Sequence, residues 1–142
     1  MRVVLHRVDP SLPLPAYQTA GAAGFDVYAR VTTTIEPKKI VLIPTNLIIA
    51  TPADHMLLLA ARSSLPLKKG SVLANGVGII DSDYCGSDDE IKVQVMNMTD
   101  APVTVERGER IAQGMFVNIE RAEWSEEAPN EKNRGGFGST GA

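Results

Sequence analysis

A chain of 142 residues can enclose one hydrophobic core and is too short for two cores joined by a linker. With 44% apolar and 22% charged residues, its composition excludes wholesale disorder, a collagen-like repeat and a coiled coil. A formal charge of −3 excludes attachment to nucleic acid or anionic lipid by bulk positive charge, and any phosphate binding has to be local.

In chain order, the N-terminus MRVVLHRVDP starts apolar but is interrupted by His6, Arg7 and Asp9, so it has no signal-peptide hydrophobic region. Thr32–Ile35, Lys39–Ile43 and Asn46–Ala50 are β-branched and apolar, as strands are. Met56–Ala61 is the longest apolar run, six residues against the roughly 20 of a membrane helix. Ser63–Gly70 predicts one short helix, with serine as cap, Pro66 tolerated in the first turn and glycine as stop. Val72–Leu73, Gly78–Ile80, Val103–Val105 and Met115–Ile119 are further short strands, and Ile91–Val95 alternates apolar with polar residues. Twelve glycines and nine prolines cut the chain into pieces too short for long helices, which predicts an all-β sandwich or barrel.

Residues 1–124 read as a single β-rich domain. Residues 125–142, SEEAPNEKNRGGFGSTGA, are polar and glycine-rich with Phe137 as the one aromatic, which predicts a mobile arm. Its parts suit closure over a ligand: glycines allow close backbone approach, hydroxyls and N–H groups meet phosphate oxygens, and a ring stacks on a base. A frayed terminus fits the same composition.

Cys85 has no intrachain partner and nothing points to an oxidising compartment, so the cytoplasm is expected. His6 and His55 lie far from each other and from Cys85 in sequence, leaving zinc without ligands of ordinary spacing and Cys85 without a catalytic base. Asp81-Ser82-Asp83 with Gly86 imitates the start of a calcium loop, but Cys85 and Lys92 then stand where oxygen donors are required. Gly76 and Gly78 lack the strand–helix context of a dinucleotide fingerprint.

Four clusters break the strand pattern: Ala23–Asp26, Ala61–Ser64, Ile80–Tyr84 and Arg110–Gln113. Arg62 beside two serines suits a phosphate, through its guanidinium fork and the serine N–H groups, although taken alone the stretch reads more readily as a surface arginine at a helix cap. Asp81 follows the apolar Val77–Ile80, so burial at a strand end would raise its pKa toward general-base duty. Asp88-Asp89-Glu90 has no such frame and reads as a solvated loop face.

Together with the tail, these clusters resemble in order and spacing the five motifs of the homotrimeric dUTP pyrophosphatases (dUTPases), from about Ala20 to Gly141. The matching stretches are AGFDVYA (23–29), RSSL (62–65), NGVGIIDSDYCG (75–86), GERIAQGMF (108–116) and GGFGSTG (135–141). The resemblance implies a jelly-roll-like β subunit with one short helix, and a Mg²⁺-dependent hydrolysis of dUTP to dUMP and pyrophosphate. Such an activity limits uracil incorporation into DNA and supplies dUMP for dTMP synthesis. It further implies a homotrimer with three sites, each built from all three chains. By position, Asp81 matches the carboxylate that activates the attacking water and also touches the sugar 3′-hydroxyl. Tyr84 matches the ring on the deoxyribose, while Asn75 and the backbone from Gly76 through Gly78 to Ile80 match the uracil hairpin. Arg62, Ser63 and Ser64 match phosphate-chain ligands, Gln113 the α-phosphate contact, and Asp26 the carboxylate that holds a water of the metal. Phe137 and Gly138 match the tail over the uracil, with Ser139 and Thr140 on the γ-phosphate. Many relatives carry an arginine five residues before the tail aromatic, where this chain has Lys132. Arg134 stands three before it, and either can take the γ-phosphate.

The chain departs from the pattern at Ser87–Asp89, which reads as an insertion that lengthens a hairpin loop, and at Ala61 and Cys85, which replace the usual residue types. Two rivals share the features. A dCTP deaminase of the same fold follows the central aspartate with Pro-Gly and needs a further glutamate, for which only Glu90 is near. A non-catalytic nucleotide-binding regulator would have no use for the water-activating Asp81.

Overall fold

The computed structural model of this chain describes residues 1–129. Its elements are β1 (Val4–Arg7), β2 (Phe25–Tyr28), β3 (Thr33–Ile35), β4 (Ile40–Pro44), β5 (Leu47–Ala50) and β6 (His55–Ala61), then α1 (Ser64–Lys69), β7 (Ser71–Leu73), β8 (Val77–Ile80), β9 (Lys92–Asn97), β10 (Val103–Val105) and β11 (Arg110–Asn118). They form a four-stranded sheet β2-β11-β6-β8, a three-stranded sheet β4-β9-β7, and the pairs β1-β5 and β10-β3. Every pairing is antiparallel, as in the expected jelly-roll-like β architecture.

Local pattern accounts for much of this. In β9, Lys92 and Gln94 face solvent while Val93 and Val95 are buried, the period-2 signature of a sheet with one covered face. Leu47–Ile49 of β5 are buried in succession, matching their unbroken apolar run. Ile35, Ile43, Leu57, Val95, Val105 and Ile111, drawn from three of the four groups of strands, are fully buried in one core. Each such side chain contributes about 1.5–3 kcal/mol of transfer free energy.

Met56–Ala61, too short for a membrane helix, forms most of β6 between β11 and β8, with Leu57 and Leu59 buried and Leu58 and Ala60 half-buried. Three expectations need correction. Arg110–Gln113 does not interrupt the strands but begins β11, and Phe25-Asp26 begins β2. Ser63 does not cap α1, for its backbone is already helical and its hydroxyl makes no cap bond. Asn46 belongs to the turn before β5, where its positive φ of 73° is one that asparagine tolerates. The helix stop holds. Gly70 takes φ 57° and returns its N–H to the Pro66 carbonyl at 2.9 Å.

Residues 119–129 carry neither helix nor strand, and Trp124 within them is almost wholly exposed. Among the described residues no helix is long and apolar enough to cross a membrane.

Candidate active site

Asp26 is the centre of the first group of site residues. It lies in β2 with both neighbours buried, and its own carboxylate is only 8% exposed. Its charge is balanced from two directions: Arg62 approaches Oδ1 through Nε at 3.1 Å, and Arg110 donates Nη1–H to Oδ2 at 3.0 Å. Gln113 of β11 stands directly across from Asp26 and donates its side-chain amide to the Ala61 carbonyl at 3.2 Å, where β6 hands over to Arg62. Gly24 permits this packing, because a Cβ there would sit 3.2 Å from the Gly114 carbonyl and 3.3 Å from Gln113 Oε1.

Arg62, Ser64 and Arg110 line a cleft of about 420 Å³, together with Lys68, Lys69 and Glu109. Lys69 is paired with Glu109 at 3.0 Å and donates to the Thr104 carbonyl at 2.7 Å. Lys68 makes no hydrogen bond or ion pair among the described residues. A polar, cationic wall with guanidinium forks in fixed orientation suits a phosphate chain. Ser63 is exposed beside it.

The second group lies elsewhere on the chain. Asn75 and Gly76 form the turn between β7 and β8, with Gly76 at φ 72° and the Val77 N–H bonded to the Asn75 carbonyl. Gly78 of β8 faces Leu59 of β6, where a Cβ would meet the leucine Cβ at 3.3 Å. Ile80 is half-buried against the core and pairs with Leu57. Asp81, one residue beyond, is exposed, so its own chain does not supply the burial expected at this strand end. Tyr84 is likewise exposed, with its hydroxyl 3.5 Å from the Glu90 carbonyl.

Within one chain the hairpin begins beside the phosphate wall, with Val77 across from Ala60, but its far end, where Asp81 lies, does not reach that wall. Ile80 is level with Leu57, whereas Ala61, level with Ala112, leads into Arg62. Four residues of β6 separate those levels, about 13 Å along the strand. Lys132, Arg134, Phe137, Gly138, Ser139 and Thr140 lie outside the described residues.

Sequence reasoning missed three arrangements. Arg110 was only part of a motif, although it grips Asp26. Glu90 is not on a solvated face: it is buried, receives two bonds from Arg30 at 2.7 and 2.8 Å, and accepts the Asn46 N–H at 2.7 Å. Burial opposes its ionisation, but the Arg30 guanidinium and the Asn46 N–H prevail and hold its carboxyl below the usual range. The inserted Ser87–Asp89 closes on itself, with the Gly86 N–H donated to Asp89 Oδ2 at 2.7 Å. Third, His6 of β1 lines a small cleft with Cys85 and Ile48, a proximity hidden by their separation in sequence.

A protein-family model described as dUTPase matches residues 11–141. The deoxyuridine 5'-triphosphate nucleotidohydrolase of Lactococcus lactis subsp. lactis is 41% identical over 143 residues, spanning 99% of this chain and 95% of that protein. The enzyme of the same name from Desulfitobacterium hafniense is 45% identical over 147 residues, again spanning 99% and 95%. The crystal structure of dUTPase from Streptococcus mutans matches with a TM-score of 0.78 at 37% identity, over 84% of this chain and 98% of that one. The dUTPase of Staphylococcus bacteriophage 80alpha shares the fold, with a TM-score of 0.84 at 23% identity over 99% of both chains. On these grounds, and with all five motifs in order along one β-rich chain, the protein belongs to the dUTPase family.

Proposed function

We propose that the protein is a dUTP diphosphatase, releasing dUMP and pyrophosphate, and that it works in the cytoplasm as a homotrimer. The observation that carries this reading is the cleft lined by Ser64 and by Arg62 and Arg110, the two arginines that the buried Asp26 holds, in a chain of this family. Arg62, Ser63 and Ser64 take the phosphate chain, and Gln113 holds the α-phosphate. Asn75 and the backbone through Gly78 and Ile80 hydrogen-bond uracil, and Tyr84 packs on the deoxyribose and leaves no room for a 2′-hydroxyl. Asp81 accepts the proton of the water that attacks the α-phosphorus. In the arm formed by residues 125–142, Phe137 and Gly138 cover the base, Ser139 and Thr140 meet the γ-phosphate, and Lys132 or Arg134 joins them. Closure of such an arm excludes bulk water and aligns the attack.

The donor set fits a metal that arrives with the substrate. Among the described residues no three His, Cys, Asp or Glu side chains gather into a metal cage. Asp26 instead lies behind Arg62 and Arg110, which line the phosphate cleft, and each of its oxygens has a lone pair for a water in the hydration shell of Mg²⁺, an ion that favours substrate phosphates and waters over all-protein cages. Once bound, Mg²⁺ neutralises charge on the phosphate oxygens. Arg62 and Gln113 orient the chain, and Asp81 moves the proton.

The distance along β6 between Asp81 and the phosphate cleft supports sites shared between subunits, since the water-activating carboxylate of one chain and the phosphate wall of another then meet. Sedimentation is expected to give three times 15.2 kDa. Asp81→Asn and Arg62→Ala proteins, each inactive alone, are expected to regain activity when co-expressed, because mixed trimers contain intact shared sites. A stable, active monomer contradicts this reading.

Glu90, the carboxylate that a deaminase would need, is occupied by Arg30 and the Asn46 N–H, which disfavours proton transfer from it. The deciding assay presents Mg²⁺ with dUTP, dCTP, dTTP and UTP in turn and scores pyrophosphate and ammonia. Pyrophosphate from dUTP alone is expected. Ammonia from dCTP would instead identify a deaminase, and neither product a binding protein.

A further inference from the structure

We propose that Arg110 is a further substrate-binding residue, a ligand for the outer phosphates that Asp26 holds in place beside Arg62; this rests on the dUTPase reading of the same cleft. Alternate residues of a strand point to opposite faces, so residues 110 and 113 of β11, three apart, belong on opposite faces. The pairing with β2 overrides that rule. Gln113 lies across from Asp26 and Ala112 from Val27, but Arg110 lies across from Tyr28, because the register shifts between Arg110 and Ala112. Tyr28 is two residues from Asp26 and shares its face of β2, and residues paired across an antiparallel ladder share a face. The bulge at Ile111 therefore re-aims Arg110 onto the face of Asp26 and Gln113. Its imprint on packing is that Ile111 and Ala112 are buried in succession, both at 0% exposure.

A guanidinium has five N–H donors. Arg110 uses one on Asp26, and its side chain is 41% exposed at the cleft. Asp26 balances the charge of only one of the two arginines it grips, and Glu109 is taken by Lys69. The wall therefore retains positive charge and forked donors on a rigid strand, the chemistry that recognises a polyphosphate. Across the bulge Arg110 also stands two partner residues from Gln113, Tyr28 against Asp26, about 7 Å by strand rise. With Gln113 on the α-phosphate, that spacing places Arg110 with the outer phosphates.

The test uses the full chain with a non-hydrolysable dUTP analogue in EDTA, and separately dUMP, binding to the parent, Arg110→Met and Arg110→Lys, each checked by thermal unfolding. Arg110→Met is expected to weaken the analogue at least tenfold and dUMP less than twofold, with partial recovery in Arg110→Lys. Analogue affinity within twofold of the parent, or equal losses for analogue and dUMP, overturns the inference. Should Arg110→Met fail to fold, Arg110→Lys decides by the same ratio: a selective loss of the analogue supports the inference and an unchanged ratio overturns it. The parent supplies the separate control. If it neither hydrolyses dUTP nor binds the analogue, the dUTPase reading itself fails, whatever the variants do.

Discussion

Replacing Asp81 with asparagine is expected to lower kcat for dUTP by about 10²–10⁴-fold, the usual contribution of a positioned general base. The amide keeps an oxygen that accepts a hydrogen bond from the sugar, so the non-hydrolysable analogue should still bind nearly as well as to the parent. What the amide cannot do is accept the proton of the attacking water. Asp81 is exposed at the end of β8, outside the core, so the substitution leaves no cavity and no buried partner unpaired. The loss should therefore appear in kcat with little change in unfolding temperature. Pyrophosphate release under saturating dUTP reads it directly, and an unchanged kcat would remove Asp81 from proton transfer.

The second large effect is on stability. Glu90→Ala is expected to cost about 3 kcal/mol, at the low end for breaking a buried ion pair because Arg30 is 29% exposed. It leaves the Arg30 guanidinium without its carboxylate and the N–H of the buried Asn46 without an acceptor. For a chain of this length, the unfolding temperature should fall by roughly 10 °C. Glu90→Gln, which retains one acceptor oxygen, should fall between the two. The pH dependence has a definite sign. The folded-state pKa of Glu90 lies below its ordinary 4.5, so its contribution is fully present above that value and disappears as pH falls through the lower folded value. Urea midpoints against pH should accordingly converge for parent and Glu90→Ala in acid and separate toward neutrality. Equal midpoints at pH 7 would show that the pair contributes nothing.

The same residue shows where local reading stops. Glu90 follows two aspartates in a polar loop, and nothing within several residues marks it as buried. Its burial comes from Arg30 and Asn46, which are brought to it by pairings between distant segments. The Ile111 bulge is hidden for a related reason: a bulge is defined by the partner strand, and β2 lies far from β11 in sequence. Cys85 and His6 meet only because β1 pairs with β5, which carries Ile48 to the same cleft.

The sequence by itself determined the all-β class, most strand positions, the short helix with its glycine stop, the absence of a long apolar span and the five motifs. Each of these is written in neighbouring residues, because side-chain period, β-branching and the φ preferences of glycine and proline act over a few positions. It also supplied Asp26, Arg62 and Gln113 as candidates. Only the tertiary structure joined Arg62 and Arg110 on the two oxygens of Asp26, buried Glu90 against Arg30, and separated Asp81 from the phosphate cleft along β6. Those outcomes depend on which strands pair and in which register, and a shift of one residue in register turns a side chain to the opposite face. Register is settled by burial summed over the whole core, so no single stretch of this chain contains it.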